Sequence, residues 1–351
     1  MAKGELTEGF VKAHIPKTLE AFGQWVGDRW IKLLEIVGYV LYPQPWKKAF
    51  LLVDADSRGQ GDTGKSTFIQ LLELVLGREN YSNVSLQALT DPERRFQAVK
   101  IHRKLANFYA DLPQTAVEDL GEFKVLTGGD ALTLERKFGQ PFTWVPYTKF
   151  IFSANTPPPI PDGKVDEAWL KRWDIVEFIG SFKEKIEGFH LTLKDEIPKL
   201  IALGIAAFNN VRARGFFSFE LSPEEVRAAW LARFDTVFAF VNWAKGNNML
   251  VREPTARVRV GELYPYYVRY CLRNEKNPVP QRTFTMRLKN LGFVITRSKN
   301  VSTIVGYRLD TESAEKLLPR SEASEAEEEG DWLTDEDQAE ENEEKRPGGS
   351  H

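Results

Sequence analysis

The sequence is poor in the residues that staple small folds or hold structural metals. One cysteine, Cys271, excludes an intramolecular disulfide, and four scattered histidines (His14, His102, His190, His351) match no metal-ligand spacing. That scarcity fits a reducing, cytoplasmic setting. No apolar run approaches the roughly 18 residues of a membrane span. The stretch from Trp30 to Leu41 is interrupted by Lys32 and Glu35 and reads as an amphipathic helix. Met1–His14 mixes charges and lacks the apolar core of a signal peptide. Lysine and arginine are absent from Glu322–Glu344, which holds 13 acidic residues. The net charge of −3 therefore hides a division: the other residues carry 47 basic and 37 acidic side chains, a balance of +10. A basic body suits a polyanionic partner, although a merely soluble surface gives the same balance.

What is present is globular: 42% hydrophobic and 12% aromatic residues. Thr18–Val26 and Arg29–Val40 carry apolar residues at helical spacing, and Pro43 and Pro45 end that region. Apolar runs at Phe50–Val53, Val84–Leu86, Leu105–Ala110, Lys149–Ser153 and Ile175–Ile179 alternate with helical patterns. That alternation predicts an α/β fold with a mostly parallel sheet covered by helices. Ile197–Val211 and Pro223–Trp243 read as helices. Next come helical stretches Val260–Leu272 and Gln281–Leu291, then β-like runs Phe293–Arg297 and Thr303–Leu309. Beyond Glu312 the acidic composition predicts disorder.

The first apolar strand is followed by Gly59-Gln60-Gly61-Asp62-Thr63-Gly64-Lys65-Ser66-Thr67, which fits the phosphate-binding pattern G-x-x-x-x-G-K-[ST]. Its glycines let successive N–H groups face one anion, and the helix that follows aims its positive end at the same point. Lys65 adds a full charge at the β- and γ-phosphates, and Ser66 offers a hydroxyl to Mg²⁺. Such a fold also needs an acid at the end of a neighbouring strand. Asp111 has that place, although the Leu-Pro after it also suits a turn aspartate. Asn155 ends another strand, where an amide meets a γ-phosphate or starts a turn. Arg172, between a helical stretch and a strand, has the position of an arginine finger or of a surface cation.

In this order the segments Gly59–Gln70, Lys104–Pro113, Phe123–Lys137, Lys149–Pro157 and Ala168–Phe178 resemble the superfamily 3 helicases. The likeness is to the helicase half of poxvirus-type and phage or plasmid primase-helicases, and it spans about residues 30–310. The resemblance implies an AAA+-like core that assembles as a homo-oligomeric ring, usually a hexamer, with ATP and Mg²⁺ between subunits. It implies Lys65 and Ser66 as Walker A, Asp111 as Walker B and metal ligand, Asn155 as sensor 1 and Arg172 as the finger. Glu135-Arg136-Lys137 would lead into a hairpin, with Phe138-Gly139-Gln140 near its tip, lining a DNA channel. Lys137, and more weakly Lys124, would touch DNA there. The family usually has two adjacent acids at Walker B. Here Ala110 precedes Asp111, so the general base is Asp111 itself, Glu118 or Asp119, or is missing.

Gly261–Leu309 resembles the winged-helix unit that follows many of these helicases. Phe284, Leu288 and Leu291 share an apolar helix face, with Arg282 and Lys289 opposite and Arg287 at its edge. Arg282, Arg287 and Lys289 are DNA-contact candidates, as are Arg297 and Lys299 (with Arg308) in the wing. The organisation expected is a helical region at 1–45, a P-loop ATPase core at 46–190, a helical lid at 191–250, a winged helix at 251–311 and an acidic tail at 312–351. The function expected is an ATP-dependent DNA helicase in replication of a virus or plasmid, with a primase or polymerase as further partner. The alternatives are a loader or regulator ATPase, and an origin-binding protein with little hydrolysis. No Asn-Lys-x-Asp motif supports a GTPase. The acidic tail has three open roles: competing for the basic surface, binding a partner, or solubility.

Overall fold

The structure is a computed structural model that describes residues 6–55, 62–113, 115–117, 119–135, 139–159, 166–182, 184, 186–298 and 301–319. Contacts divide the chain into two compact units, Met1–Trp230 and Leu231–His351.

The first unit opens with three helices, α1 (Glu8–His14), α2 (Pro16–Val26) and α3 (Trp30–Val40). Pro16 starts α2 where no N–H is needed. The distant Glu196 carboxylate then caps that end, accepting from the Thr18 amide and hydroxyl at 2.8 and 2.7 Å. An anion there also complements the helix dipole. Strand β1 (Ala49–Asp54) leads to α4 (Lys65–Leu76). The chain continues through β2 (Tyr81–Ser82), α5 (Leu86–Thr90), β3 (Ala106–Tyr109) and α6 (Leu120–Gly128). A small hairpin follows, β4 (Leu132–Leu134) against β5 (Phe142–Trp144), then β6 (Lys149–Ser153), α7 (Glu167–Leu170), β7 (Trp173–Phe178), α8 (Ile197–Arg214) and α9 (Pro223–Phe234).

The main sheet is parallel, in the order β2-β3-β6-β1-β7. All six residues of β1 are buried, as expected for a central strand covered on both faces. Phe22, Trp25, Phe68 and Phe178 join α2, α4 and β7 in one core. Phe123 of α6 stacks on Trp173 at 4.9 Å, with Trp169 and Trp230 beside Trp173. Helices α3 and α8 meet at a glycine pair: a Cβ on Gly38 would lie 1.9 Å from the Gly204 carbonyl oxygen.

Two features depart from the apolar pattern. The strand expected at Val84–Leu86 lies at Tyr81–Ser82, and Leu86 begins α5 instead. The Asn107 side chain takes over the ladder there, accepting from the Val84 amide and donating to its carbonyl at 2.9 and 2.8 Å, while Ser85 caps α5. The helix expected over Pro223–Trp243 is broken into α9 and α10 (Thr236–Gly246). Asp235 breaks it by accepting from the amides of Val237 and Phe238 at the start of α10.

The second unit holds α10, β8 (Leu250–Arg259), α11 (Val260–Arg273), α12 (Gln281–Asn290), β9 (Ile295–Ser298), β10 (Val301–Leu309) and α13 (Thr311–Leu317). Its antiparallel sheet runs β8-β10-β9. Strand β8 has no counterpart in the sequence reading. The disorder expected from Glu312 is corrected for the first residues, which form α13. Asp310 caps that helix, Glu315 pairs with the buried Arg269 at 3.2 Å, and Ala314 and Leu318 enter the core. Residues 320–351, the rest of the expected tail, lie outside the described residues. Among the described residues no helix is long and apolar enough to cross a membrane.

Lys149, at the start of β6, is fully buried, with no carboxylate beside it among the described residues. Its ammonium donates to the carbonyls of Gln44 and Tyr147 and lies 5.4 Å from the Tyr39 ring centre. Burial pulls its pKa from 10.5 down to about 7. Between those values the unfolded chain holds the extra proton, so stability rises with pH across that window and is lowest below pH 7. Urea unfolding from pH 7 to 9 should show a stability gain of up to about 1.4 kcal/mol per pH unit from this group. Lys149→Met should remove that slope, and an unchanged slope would refute the assignment.

Candidate nucleotide-binding site

The C-terminal end of the parallel sheet opens into a cleft of about 820 Å³, lined in part by Asp62–Thr67. The physics of the loop is legible in its backbone. Asp62 and Gly64 both take left-handed conformations, with φ of 50° and 100°. Asparagine, aspartate and glycine are the residues that tolerate this, and alternating handedness turns amides inward to face an anion. Gly64 caps α4 with no side chain, so the cap residue does not take up the first amides of that 12-residue helix, which suits an anion site. A Cβ on Gly64 would also lie 2.4 Å from the Trp25 ring, which excludes any larger residue. These features fit a polyphosphate. Gly59, Gln60 and Gly61 lie outside the described residues.

Lys65 begins α4 and is buried. Its ammonium is paired with the carboxylate of Asp54, the last residue of β1. The Thr63 hydroxyl donates to the same carboxylate oxygen at 2.6 Å. The sequence reading did not single out Asp54. Its signal was faint: an acid closing an otherwise apolar strand.

Strand order brings the other candidates to the same cleft. Because β6 lies between β1 and β3, Asn155 (after β6) and Asp111 (after β3) both reach it, together with Ser66. Two backbone bonds fix their loops: Leu112 N–H to the Ser153 carbonyl at 2.9 Å, and Ala154 N–H to the Leu52 carbonyl at 3.1 Å. Ala110 lines the cleft where a second acid would stand. Asp119 is engaged elsewhere, capping α6 by accepting from the amides of Gly121 and Glu122 at 2.7 and 3.2 Å. Glu118 lies outside the described residues.

The far wall comes from α2 and the segment after β7. Gln24, Trp25, Phe182, Ile186 and Phe189 line it. The fit is close, since a Cβ on Gly180 would lie 2.8 Å from the Thr63 carbonyl oxygen. Trp25 escaped the sequence reading because it stands 40 positions before Lys65 and reads as an ordinary core aromatic.

Other candidates lie away from the cleft. Arg172 precedes β7, and its carbonyl accepts from Ala49 at the start of β1, so it sits at the opposite end of the sheet from Gly64. Its guanidinium donates to the Thr127 hydroxyl at 2.9 Å and to the carbonyls of Ala168 and Lys124 at 2.5 and 3.3 Å. Burial lowers its pKa, while Asp166 and Asp130 oppose that. Lys124 is paired with Asp166 at 2.6 Å, and that bond holds the Asp166 carboxyl below its usual range. The β4–β5 hairpin is present, with Leu134 opposite Phe142, but Arg136, Lys137 and Phe138 lie outside the described residues.

In the second unit, Phe284 and Leu288 are buried while Arg282 and Lys289 are exposed on α12. Arg287 is partly buried and turns to Asp235 at 3.2 Å. Arg297 is exposed on β9, and Lys299 lies outside the described residues.

Comparison with known proteins gives likenesses over parts of the chain. Residues 57–172 match a family described as of unknown function, DUF5906. Over 148 residues the chain is 27% identical to the "Putative helicase L207/L206" of Acanthamoeba polyphaga mimivirus, covering 40% of this chain and 15% of that protein. Among solved structures, the apo C-terminal region of NrS-1 is similar at a TM-score of 0.45 and 12% identity, covering 84% of this chain and 75% of that one. The JCV helicase is similar at a TM-score of 0.33 and 17% identity, covering 66% and 65%. The sequence likeness to a helicase of viral origin is thus weak, and it spans less than a sixth of that relative's length.

Proposed function

We propose that this protein is an ATP-driven DNA helicase or translocase of the superfamily 3 kind, acting in replication of a virus or plasmid. The observation that carries this reading is the convergence of Lys65, Ser66, Asp111 and Asn155 on one cleft at the start of α4. Lys65 would hold the β- and γ-phosphates, its ammonium passing from Asp54 to the nucleotide. Ser66 and Asp111 would hold Mg²⁺, which when bound neutralises phosphate charge. The Asn155 amide would orient the attacking water. With Ala110 beside it, Asp111 would serve both metal and water, in a cleft that Asp62, Glu184 and Glu187 also line. Arg172 would act on a neighbouring subunit's cleft, in the homo-oligomeric ring, usually a hexamer, that the resemblance implies. Lys137 on the β4–β5 hairpin would contact DNA in the channel, with Lys124 a lesser contact. The second unit would act as a winged helix, with Arg282, Arg287, Lys289, Arg297 and Lys299 toward DNA phosphates.

Ala110 and the capping role of Asp119 favour a second reading, an ATP-binding origin or loading factor with little turnover. ATP turnover with and without single-stranded DNA separates the two. The helicase reading expects DNA to stimulate turnover, and Lys65→Ala to reduce it by at least about 100-fold, the scale of losing a charged transition-state contact. DNA-independent turnover in the unaltered protein would sink it.

Arg172→Ala should retain nucleotide binding and lose turnover. Mixing it with Lys65→Ala subunits should restore part of the activity, because each variant would supply what the other lacks. Absence of complementation would argue against a finger acting between subunits.

Asp54→Asn leaves the buried Lys65 ammonium without its anion. Calorimetric titration should then show ATP binding tightened by about tenfold, a change of about 1.4 kcal/mol. Melting without nucleotide should fall. Weaker binding in the variant would show that Asp54 serves the bound nucleotide instead.

A further inference from the structure

The sheet of the second unit has one face in the core and one in solvent. Val258, Ile304 and Ile295 pair across it and face the core, where Val258 and Ile304 are buried. Side chains alternate along a strand, so their neighbours point the other way. That outward face carries Arg257 opposite Val305 and Arg259 opposite Thr303, with Thr296 on the far side of Thr303. Val294, whose carbonyl accepts from the Val305 amide, is 63% exposed, and Val301 is 42% exposed. Arg257 and Arg259 are exposed on the edge strand β8, with Glu262 beside Arg259. An exposed face that mixes valines with arginines asks for an occupant that is apolar and anionic at once.

The chain itself contains such a segment. Trp332-Leu333 is preceded by Glu327-Glu328-Glu329 and Asp331 and followed by Asp335-Glu336-Asp337. It begins from a fixed point on the same unit, because Leu318, at the end of α13, is buried and Glu315 is paired with Arg269. The fourteen residues Pro319–Trp332 reach up to about 45 Å when extended. A body of some 90 residues has a radius of gyration of only about 12 Å. The whole surface of the unit is therefore within reach, and a tether this short sets a local concentration on the order of millimolar.

We propose that Asp331–Asp337 docks in cis on the outward face of β8-β10-β9, with Trp332 and Leu333 on Val294, Val301 and Val305 and the acids toward Arg257 and Arg259. The docked segment occupies a basic surface that DNA would otherwise use. That consequence rests on the proposed DNA-binding function, while the docking itself does not.

Two readouts on the full chain test it. A benzophenone side chain in place of Thr334 should crosslink, on irradiation, to β8 or β10 of the same molecule. Arg257→Glu and, separately, Val301→Ser should each cut that crosslink at least about fivefold, and high salt should weaken it. Crosslinks that form between molecules, map elsewhere, or ignore both substitutions would overturn the docking. The second readout is anisotropy of a labelled single-stranded oligonucleotide. Trp332→Ala with Leu333→Ala should bind it about tenfold more tightly than the unaltered chain, and an unchanged affinity would overturn the competition. If no variant binds DNA, the proposed function fails, and the crosslink still decides the docking.

Discussion

The Lys65 ammonium is buried, and a buried ammonium must either be paired with an anion or give up part of its basicity, as Lys149 does. That requirement organises the cleft. The anion beside Lys65 is Asp54, held in place by the Thr63 hydroxyl. Phosphate and Asp54 cannot both surround one ammonium without repelling each other, so under the proposed function the lysine changes partner as the nucleotide enters. The neighbouring walls leave little freedom to do this elsewhere. Trp25 closes over Gly64, and Gly180 abuts Thr63. The loop is thus clamped between α2 and the segment after β7, and its charge compensation is tied to the packing of the whole end of the sheet.

The legible part of this design was local. The glycines, Lys65 and Ser66 lie within a few residues of one another, and their chemistry does not depend on the rest of the fold. The parallel sheet was legible because buried strands such as β1 are continuous apolar runs. What escaped was set by residues distant in sequence. The end of β2 is completed by the Asn107 side chain, more than twenty positions away. Strand β8 contains Pro254 and three arginines, a poor strand pattern, and is a strand because β10 pairs with it. Helix α13 sits in an acidic, apparently coreless stretch, yet Arg269 offers Glu315 a partner and the core accepts Leu318. Asp54 became visible as a site residue only when β1 and α4 brought it to Lys65.

The polarity of the sheet limits what one chain can do. In a parallel sheet every strand ends on the same side, so the loop before α4, Asp111 and Asn155 gather at one end. Arg172 lies at the other, before β7 and beside the start of β1. Six residues of strand span about 20 Å, and a guanidinium reaches only about 7 Å from its Cα. Arg172 therefore cannot serve the cleft of its own chain without unravelling β7. Its present bonds to Thr127, Ala168 and Lys124 hold it in a defined place near Asp130 and Asp166. Under the proposed function, a cation so far from its own cleft would act on nucleotide only through a second subunit. A ring in which one subunit's sheet base faces the next subunit's cleft is the arrangement that would make Arg172 and Lys65 parts of one site.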